Sequence, residues 1–471
     1  MLALITHSFL YFIIRAVNGL IAIATLATFT RLLSPAEYGV YAIGMSITSV
    51  ASAILFQWLN LAVVRFLPMY LDDPSKVMDV VARGFWAATA VGALISLGML
   101  PFQQVFSVAP ALFGILFLIT VALGYHTLAL QVATAQSAPV RYGMLLWVKS
   151  GVALVAGLIF IHFGGGEKGA LLGFLAGLLF AAIVIPQKPA MRMKLGSVET
   201  VLSVDMFRYC LPITLNTLAI VIVDVADRLI IGSMLGVDYV APYAVGYDLV
   251  QQLIGPVMNV IFLASYPLIL QTFEGRGDEP TRILLHALGS RIVALGLPVA
   301  VGVGVLATDI AEVIFGIHYR QDASMIMPWL AAAIFVAGFK GYFLDVVFQL
   351  RHATKYLWYS AVLMAVVNVA LNLLLLPRYG VIAAAWATLL VFLAGALASW
   401  VFGKSVFLLP ALGNVFLKSA AASAVMAFVL YLLPSSSTTV WLFAKITFGI
   451  AIYASIAWAL DVAGCRRLLK V

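Results

Sequence analysis

Ionisable side chains interrupt two neighbouring apolar segments near the middle of the chain. Asp224, Asp227 and Arg228 follow one another at i, i+3 and i+4, so they share one face of a helix. A second polar stripe lies on the next apolar segment and consists of Asp248, Gln252 and Asn259. Carboxylates inside an apolar segment could take up a proton or a sodium ion, or control the path of a polar cargo. We therefore predict a coupling or gating role for Asp224, Asp227, Arg228 and Asp248.

An ion pair is a simpler explanation of the first stripe. Asp224 and Arg228 are one helical turn apart, so they could neutralise each other and serve only the stability of their own segment. Both interpretations stay open at the level of sequence.

Further polar residues lie in apolar segments on either side of this region. Because polar groups are costly in a bilayer, they normally face a protein interior or a water-filled cavity. We predict a cavity whose substrate-binding residues are Arg15, Asn18, Asn60, Gln252, Asn259 and Lys340. Asp345 joins the coupling or gating group. Arg15 could instead extend to the membrane surface, since it lies only one or two turns inside its segment.

The composition identifies the class of protein that must position these residues. The chain is 64% hydrophobic and only 10% charged, with a mean hydropathy of +1.10. Such a balance excludes a soluble globular protein of 471 residues and predicts an all-α polytopic membrane protein. The net charge of +8 then reflects basic loops at the membrane surface, and no nucleic-acid partner is expected.

Fourteen apolar stretches are long enough to cross a bilayer. They lie near residues 9–30, 40–63, 84–104, 110–131, 143–162, 169–186, 209–231, 240–268, 284–306, 325–350, 357–376, 380–401, 411–433 and 440–461. Nineteen Lys and Arg, Lys149 among them, fall in loops or at span edges on the side of the termini, against five on the other side. Since basic residues collect in cytoplasmic loops, we predict that both termini are cytoplasmic.

The residue types that catalysis would need are not clustered. The six histidines are scattered without the spacing of a metal site, and no loop is long enough to fold as a soluble catalytic domain. We predict that the protein is not an enzyme and binds no metal or cofactor, with coupling to H⁺ or Na⁺ as a possible ion dependence. His126 is interpreted as a packing residue, and the sequence indicates no partner for Lys445.

An internal repeat divides the spans into two halves. LLSPAEYGVYAIG at 32–44 aligns with MLGVDYVAPYAVG at 234–246, an offset of 202 residues, and GEKGALLG at 166–173 aligns with GVIAAAWA at 380–387, an offset of 214. The predicted division is an N-terminal lobe at 1–186, a cytoplasmic linker at 187–208, a C-terminal lobe at 209–403, and two added spans with a cytoplasmic C-terminus at 404–471. Two six-helix halves of equal topology predict transport by alternating access.

A resemblance to a known family rests on an ordered set of motifs along nearly the whole chain. These are TRLLSPAEYGVYAIG, FRYCLPITLN, DRLIIGSMLGVDYVAPYAVGYDL, EVIFGIHYRQDASMIMPWLA and NVALNLLLLPRYGVIAAAWATLL. Together they resemble the polysaccharide-transporter branch, with Wzx-type oligosaccharide flippases, of the multidrug/oligosaccharidyl-lipid/polysaccharide (MOP) exporter superfamily. The resemblance implies a V-shaped MOP/MATE-like fold of two six-helix lobes plus two C-terminal helices, in the bacterial inner membrane.

The function that this resemblance implies is movement of polyprenyl-pyrophosphate-linked oligosaccharide units, such as O-antigen, capsule or exopolysaccharide precursors, to the periplasmic leaflet. The expected partners are that lipid-linked glycan, the bilayer and the polysaccharide polymerase machinery. Arg15 and Lys340 would then hold the diphosphate, because both cations are expected in the cytoplasmic third of their spans. A cation-coupled multidrug antiporter and a peptidoglycan-precursor flippase are the alternatives.

Overall fold

A computed structural model describes residues 2–70, 72–99, 110–185, 200–435 and 438–468. Over these ranges the protein is helical and contains no β-strand. The chain forms two compact units. Unit 1 comprises Met1–Thr25 and Ala36–Leu229, and unit 2 comprises Leu26–Pro35 and Ile230–Val471.

Unit 1 is built from seven helices. They are α1 (Leu2–Leu32), α2 (Pro35–Phe66), α3 (Pro74–Met99), α4 (Pro110–Ala135), α5 (Pro139–Phe160), α6 (Gly166–Val184) and α7 (Thr200–Met234), of which α7 belongs to unit 1 as far as Leu229. Four of these helices begin with proline, which lacks the N–H that a first helical residue would leave unpaired. The sequence therefore marks the starts of α2 to α5 directly.

Close backbone contact holds α5 against α6. A π-helical turn at Ile161–Gly165 and glycines with positive φ at 164 and 166 reverse the chain between the two helices. A Cβ atom at Gly173 would lie 2.3 Å from the Gly157 Cα, and one at Gly177 would lie 2.3 Å from the Lys149 carbonyl oxygen. Only glycine permits this approach, so α5 and α6 have a fixed register.

Unit 2 contains the remaining helices. They are α8 (Val237–Arg276), α9 (Asp278–Val305), α10 (Ala307–Ile314), α11 (Arg320–Phe339), α12 (Val346–Leu350), α13 (Lys355–Tyr379), α14 (Ile382–Lys404), α15 (Gly413–Leu432), α16 (Thr439–Ala459) and α17 (Cys465–Leu468). A π-helical turn at Lys340–Leu344 joins α11 to α12, and Arg320–Leu350 is one apolar segment long enough to span a membrane.

The segment Leu26–Pro35, which connects α1 to α2, packs within unit 2. Tyr319 donates a hydrogen bond to the Leu33 carbonyl oxygen at 2.8 Å, and Arg31 donates to the Val313 carbonyl oxygen at 2.8 Å. The backbone N–H of Gly316 donates to the Thr30 hydroxyl at 3.1 Å. These bonds are buried except at Arg31 and fix the turn between α1 and α2 to the link between α10 and α11.

The predicted fourteen spans are confirmed. Thirteen segments within the described ranges are long and apolar enough to cross a membrane, and one of them, Pro139–Val184, contains both α5 and α6. The short helix α10 was not predicted. Helix bounds also follow the repeat, since α2 begins at Pro35 and α8 begins 202 residues later at Val237. The predicted lobe and linker boundaries stay predictions, and 187–199 lies outside the described residues.

The two helices beyond the repeat, α15 and α16, form hydrogen bonds with α9 of unit 2. The Tyr453 hydroxyl on α16 donates to the Ala294 carbonyl oxygen on α9 at 2.6 Å and lies 3.0 Å from the Ser419 hydroxyl on α15. Ser419 also donates to the Val293 carbonyl oxygen at 3.3 Å. Because α15 and α16 use backbone acceptors of α9, they are integral parts of unit 2.

Candidate functional site

A buried ion pair lies midway along the Arg320–Leu350 segment of unit 2. The Lys340 ammonium donates to the Asp345 carboxylate at 2.7 Å, and the Ser399 hydroxyl donates to the other carboxylate oxygen at 2.6 Å. Ser360 lies 3.5 Å from the Ser399 hydroxyl. We call these four residues the Lys340 centre. It brings together two residues that the sequence predicted for different roles.

The π-helical turn explains how Lys340 and Asp345 meet. In an α-helix, residues five apart point about 140° away from each other. A π turn closes an i to i+5 hydrogen bond instead, and here the Asp345 N–H donates to the Lys340 carbonyl oxygen at 2.9 Å. The extra residue in the turn places both side chains on one side of the helix. Such π turns frequently mark functional sites.

The ion pair is enclosed. Lys340 is 9% exposed and Asp345 is 8% exposed, and Lys340 lies ten residues before Leu350, roughly 15 Å along the helix. A buried pair is costly to form and more costly to break, because a single remaining charge would have no partner. An anion that reached Lys340 could replace Asp345 as its partner.

One of the predicted α8 residues contacts this region. Asn259 donates to the hydroxyl of Tyr342, which belongs to the same π turn, at 3.0 Å, and Gln252 is partly buried. Asp248 is exposed on α8. The structure thus connects Asn259 to the π turn that carries Lys340.

The charged stripe of α7 lies in unit 1. Asp227 is 1% exposed and Arg228 is 9% exposed, whereas Asp224 is partly buried. Burial agrees both with a structural ion pair and with gating. The coupling or gating role of the α7 stripe stays a prediction.

The other predicted residues of unit 1 contact neighbouring helices. Asn18 accepts a hydrogen bond from Ser150 of α5 at 2.7 Å. The Asn60 side-chain amide is buried and donates to Gln57 at 3.3 Å, and Arg15 is exposed. Asn18 therefore joins α1 to α5. The substrate-binding roles of Arg15, Asn18 and Asn60 stay predictions.

Sequence reasoning missed a cation in the middle of unit 1. Lys149 was counted at a cytoplasmic span edge, and this was wrong, because it lies ten residues after the first residue of α5 and roughly 15 Å along that helix. Its ammonium lies over the Phe174 ring, 5.1 Å from the ring centroid. Recognising that α5 begins at Pro139 rather than near residue 143 would have revealed it.

A second buried ion pair was also missed. Lys445 on α16 donates to Asp309 on α10 at 2.8 Å, and both side chains are almost completely buried. The sequence could not show this partner, because Asp309 lies 136 residues away in a helix that was not predicted. This pair joins α16 to α10 within unit 2. It resembles the Lys340 pair in its burial and in its nitrogen–oxygen distance.

Comparisons with known proteins agree with the fold. Residues 28–324 match the protein family described as "Polysaccharide biosynthesis protein". A structure of the lipid II flippase MurJ in an inward closed conformation is similar with a TM-score of 0.70 at 16% identity, covering 100% of both chains. A multidrug resistance MATE family transporter of the MOP superfamily is similar in its inward-facing conformation, with a TM-score of 0.67 at 15% identity over 84% of this chain and 97% of the transporter. None of the curated proteins matches this chain by sequence.

Proposed function

This chain belongs to the polysaccharide biosynthesis protein family, and from that premise we propose that it is a flippase for polyprenyl-pyrophosphate-linked oligosaccharides. It moves these units from the cytoplasmic to the periplasmic leaflet of the bacterial inner membrane by alternating access, with both termini in the cytoplasm. The proposal is supported by a fold similar to those of the lipid II flippase MurJ and a MATE transporter of the MOP superfamily, and by many helices that are long and apolar enough to cross a membrane.

The observation that carries the proposal is the Lys340 centre. A lipid-linked oligosaccharide presents a diphosphate that cannot enter hydrocarbon, so its carrier needs an embedded cation that can change partners. Lys340 meets this need, because Asp345 neutralises it when no substrate is present. Diphosphate binding displaces Asp345, and release of the diphosphate restores the ion pair.

The other predicted residues have supporting roles in this proposal. Arg15 contributes the second positive charge, while Asn18, Asn60, Gln252 and Asn259 offer hydrogen bonds to sugar hydroxyls. Asp224, Asp227 and Asp248 govern the return step through binding of H⁺ or Na⁺, and Arg228 takes part in gating. The polysaccharide polymerase machinery receives the transported unit.

A peptidoglycan-precursor flippase is the second candidate. The similarity to MurJ extends over this whole chain, including the two helices beyond the repeat, whereas the MATE similarity leaves part of the chain uncovered. A cation-coupled drug antiporter is less consistent with that coverage. The three candidate functions differ in the substrate that the protein would transport.

A reconstitution experiment tests the proposal. Purified protein in liposomes is assayed for flipping of a labelled polyprenyl-diphospho-oligosaccharide, flipping of labelled lipid II, and efflux of a cationic dye. We expect transport of the first substrate alone. Flipping of lipid II alone would establish the second candidate, and dye efflux without lipid flipping would reject both flippase functions.

Variants of the Lys340 centre test its role. Because a charge-assisted hydrogen bond contributes roughly 1.5–3 kcal/mol, Lys340→Gln should slow flipping about tenfold or more. Lys340→Arg should retain more activity, since the contact requires charge. The double variant Lys340→Gln/Asp345→Asn should fold normally yet stay slow. Full activity of this double variant would show that the ion pair is only structural.

A further inference from the structure

Helices α1 to α6 of unit 1 have an unbalanced charge within their spans. The carboxylates between residues 9 and 185 are Glu37, Asp72, Asp73, Asp79 and Glu167. All of them lie in a loop or within the first six residues of a helix. Lys149 instead occupies the centre of α5. Among the residues that the structure describes, it forms no ion pair with a carboxylate.

A second donor lies on a neighbouring helix. His126 on α4 is 4% exposed, and its Nε2 has no hydrogen-bond partner among the described residues. Helix α4 packs against α5, which carries Lys149. His126 can donate from Nε2 as the neutral Nε2–H tautomer or as the cation. We call Lys149, His126 and Phe174 the Lys149 centre.

The position of Lys149 is fixed by packing. Gly177 of α6 touches the Lys149 backbone, and α4 packs against both α5 and α6. Phe174, on the same helix as Gly177, provides the aromatic face over the ammonium. The side chain is partly exposed, so an external group can reach it. Lys149 is therefore held in place before any ligand arrives.

A cation at this depth requires a counter-charge. An aromatic face offsets only part of the cost of removing an ammonium from water, and a buried polar nitrogen without a partner adds a further cost. An anion with several oxygen acceptors would accept from both Lys149 and His126. A phosphate group suits such a pair of donors, because it offers acceptors in several directions.

We infer that the Lys149 centre is a binding subsite for a phosphate- or diphosphate-bearing anion. The subsite holds the anion by donation from the Lys149 ammonium and the His126 Nε2, with Phe174 beside the cation. Assignment of the lipid-linked substrate as the source of that anion rests on the proposed function. The subsite itself stands on the charges and contacts of unit 1.

Equilibrium binding of radiolabelled farnesyl diphosphate tests the subsite. Full-length protein is placed in nanodiscs of neutral phosphatidylcholine. The Lys340→Gln/Asp345→Asn background removes the contribution of the Lys340 centre. In this background Lys149→Gln should weaken binding at least tenfold, Lys149→Arg should retain most of it, and His126→Phe should weaken it about threefold. Lys168→Gln, which removes an exposed charge at the start of α6, is the matched control and should bind like the parent.

Competition identifies the source of the anion. If inorganic pyrophosphate displaces farnesyl diphosphate at equal concentration, the subsite accepts a free anion. If it does not, the prenyl chain contributes and the substrate is a lipid. Each result supports a phosphate subsite and differs only in its occupant.

A stability measurement covers the case in which Lys149→Gln does not fold. Farnesyl diphosphate should raise the unfolding temperature of the parent and leave that of Lys149→Met unchanged. Equal binding by parent and Lys149→Gln, or equal thermal shifts in parent and Lys149→Met, would overturn the inference. If flipping persists despite such a result, the proposed function stands without the subsite. If the parent binds farnesyl diphosphate through Lys149 yet flips no lipid-linked oligosaccharide, the subsite stands and the proposed function fails.

Discussion

Two lysines, one in each unit, lie at the same depth of a helix and have different partners. Lys340 is ten residues from the end of its segment at Leu350, and Lys149 is ten residues from the start of α5 at Pro139. Lys340 has a carboxylate at 2.7 Å, whereas Lys149 has an aromatic ring and a histidine nearby. Lys340 therefore has a carboxylate as its counter-ion, whereas Lys149 forms no ion pair with any of the residues that the structure describes.

Local helix geometry explains part of this difference. Under the repeat offset of 214 residues, His126 takes the place of Lys340 and Gln131 takes the place of Asp345. Helix α4 continues as a regular α-helix through residues 126 to 131, so the two positions point about 140° apart. In unit 2 the π turn brings the side chains of Lys340 and Asp345 to the same side of the helix, so the angle of about 140° between them is lost. Neutralisation at Lys340 therefore depends on both the carboxylate and the extra residue in the turn.

Removal of the carboxylate from the Lys340 centre should have the largest effect on stability. Asp345→Asn leaves Lys340 charged and buried, which should lower the free energy of unfolding by about 3–5 kcal/mol. The double variant Lys340→Gln/Asp345→Asn should recover most of that loss. Thermal unfolding in detergent measures the stability of the single and the double variant. If the single and double variants were equally stable, Lys340 would not depend on Asp345, and the contrast with Lys149 would disappear.

The Lys445 pair supplies the control for this experiment. Lys445→Gln leaves Asp309 buried without its cation and should destabilise by a similar amount, about 3–5 kcal/mol. Its folded fraction should nevertheless bind farnesyl diphosphate like the parent, because this pair only joins α16 to α10. A loss of binding equal to that in Lys340→Gln would show that binding merely follows stability.

Displacement of α6 from α5 should have an intermediate effect. Gly177→Val inserts a side chain where a Cβ would meet the Lys149 carbonyl oxygen at 2.3 Å, so about 1–3 kcal/mol of stability should be lost. Phe174 and Lys149 should also separate, which weakens farnesyl diphosphate binding. Gly151→Ala, on α5 with open space around its Cβ, should be neutral or slightly stabilising. Equal effects of both variants would show that the α5–α6 contact does not position Lys149.

The sequence predicted the fold well because long apolar runs and prolines mark membrane helices directly. It could not predict the π turn at Lys340–Leu344, since one extra residue per turn leaves the apolar pattern of the segment unchanged. The short helix α10 was missed because eight residues are too few to produce a clear period. Fold class therefore follows from composition, whereas local helix geometry does not.

The candidate site was predicted less completely for the same reason. Lys340 and Asp345 were both selected, but their pairing depends on the unpredicted turn. Lys149 was assigned to a span edge because the start of α5 was placed four residues late. The partner of Lys445 required the tertiary structure. Residue type and hydropathy thus identified Lys340 and Lys445 as embedded charges, whereas the position of Lys149 and the partners of all three lysines required the three-dimensional structure.

Addition of a carboxylate beside Lys149 should have the smallest effect on free energy of the changes considered. It tests most directly whether the missing counter-ion is what distinguishes Lys149 from Lys340. Leu146 lies three residues before Lys149 on α5 and is partly buried. A glutamate at this position can reach the ammonium, because residues three apart are neighbours on a helix. Leu146→Glu would therefore give Lys149 the kind of partner that Lys340 already has. Farnesyl diphosphate would have to displace that carboxylate, so its affinity should fall about tenfold, equivalent to about 1.4 kcal/mol.

Leu146→Gln separates the charge from the change in shape. It has nearly the same size as the glutamate but cannot neutralise Lys149, so it should bind farnesyl diphosphate like the parent. Leu146→Glu and Lys149→Gln should weaken binding to a similar extent, because each change lowers the net charge beside the ligand by one, and the combined variant should bind more weakly than either. Binding isotherms of the four proteins in neutral nanodiscs, in the Lys340→Gln/Asp345→Asn background, decide the matter. Equal affinities of Leu146→Glu and Leu146→Gln would show that the carboxylate does not act through Lys149, and the absence of a carboxylate beside Lys149 would then not be what leaves Lys149 available to an anion.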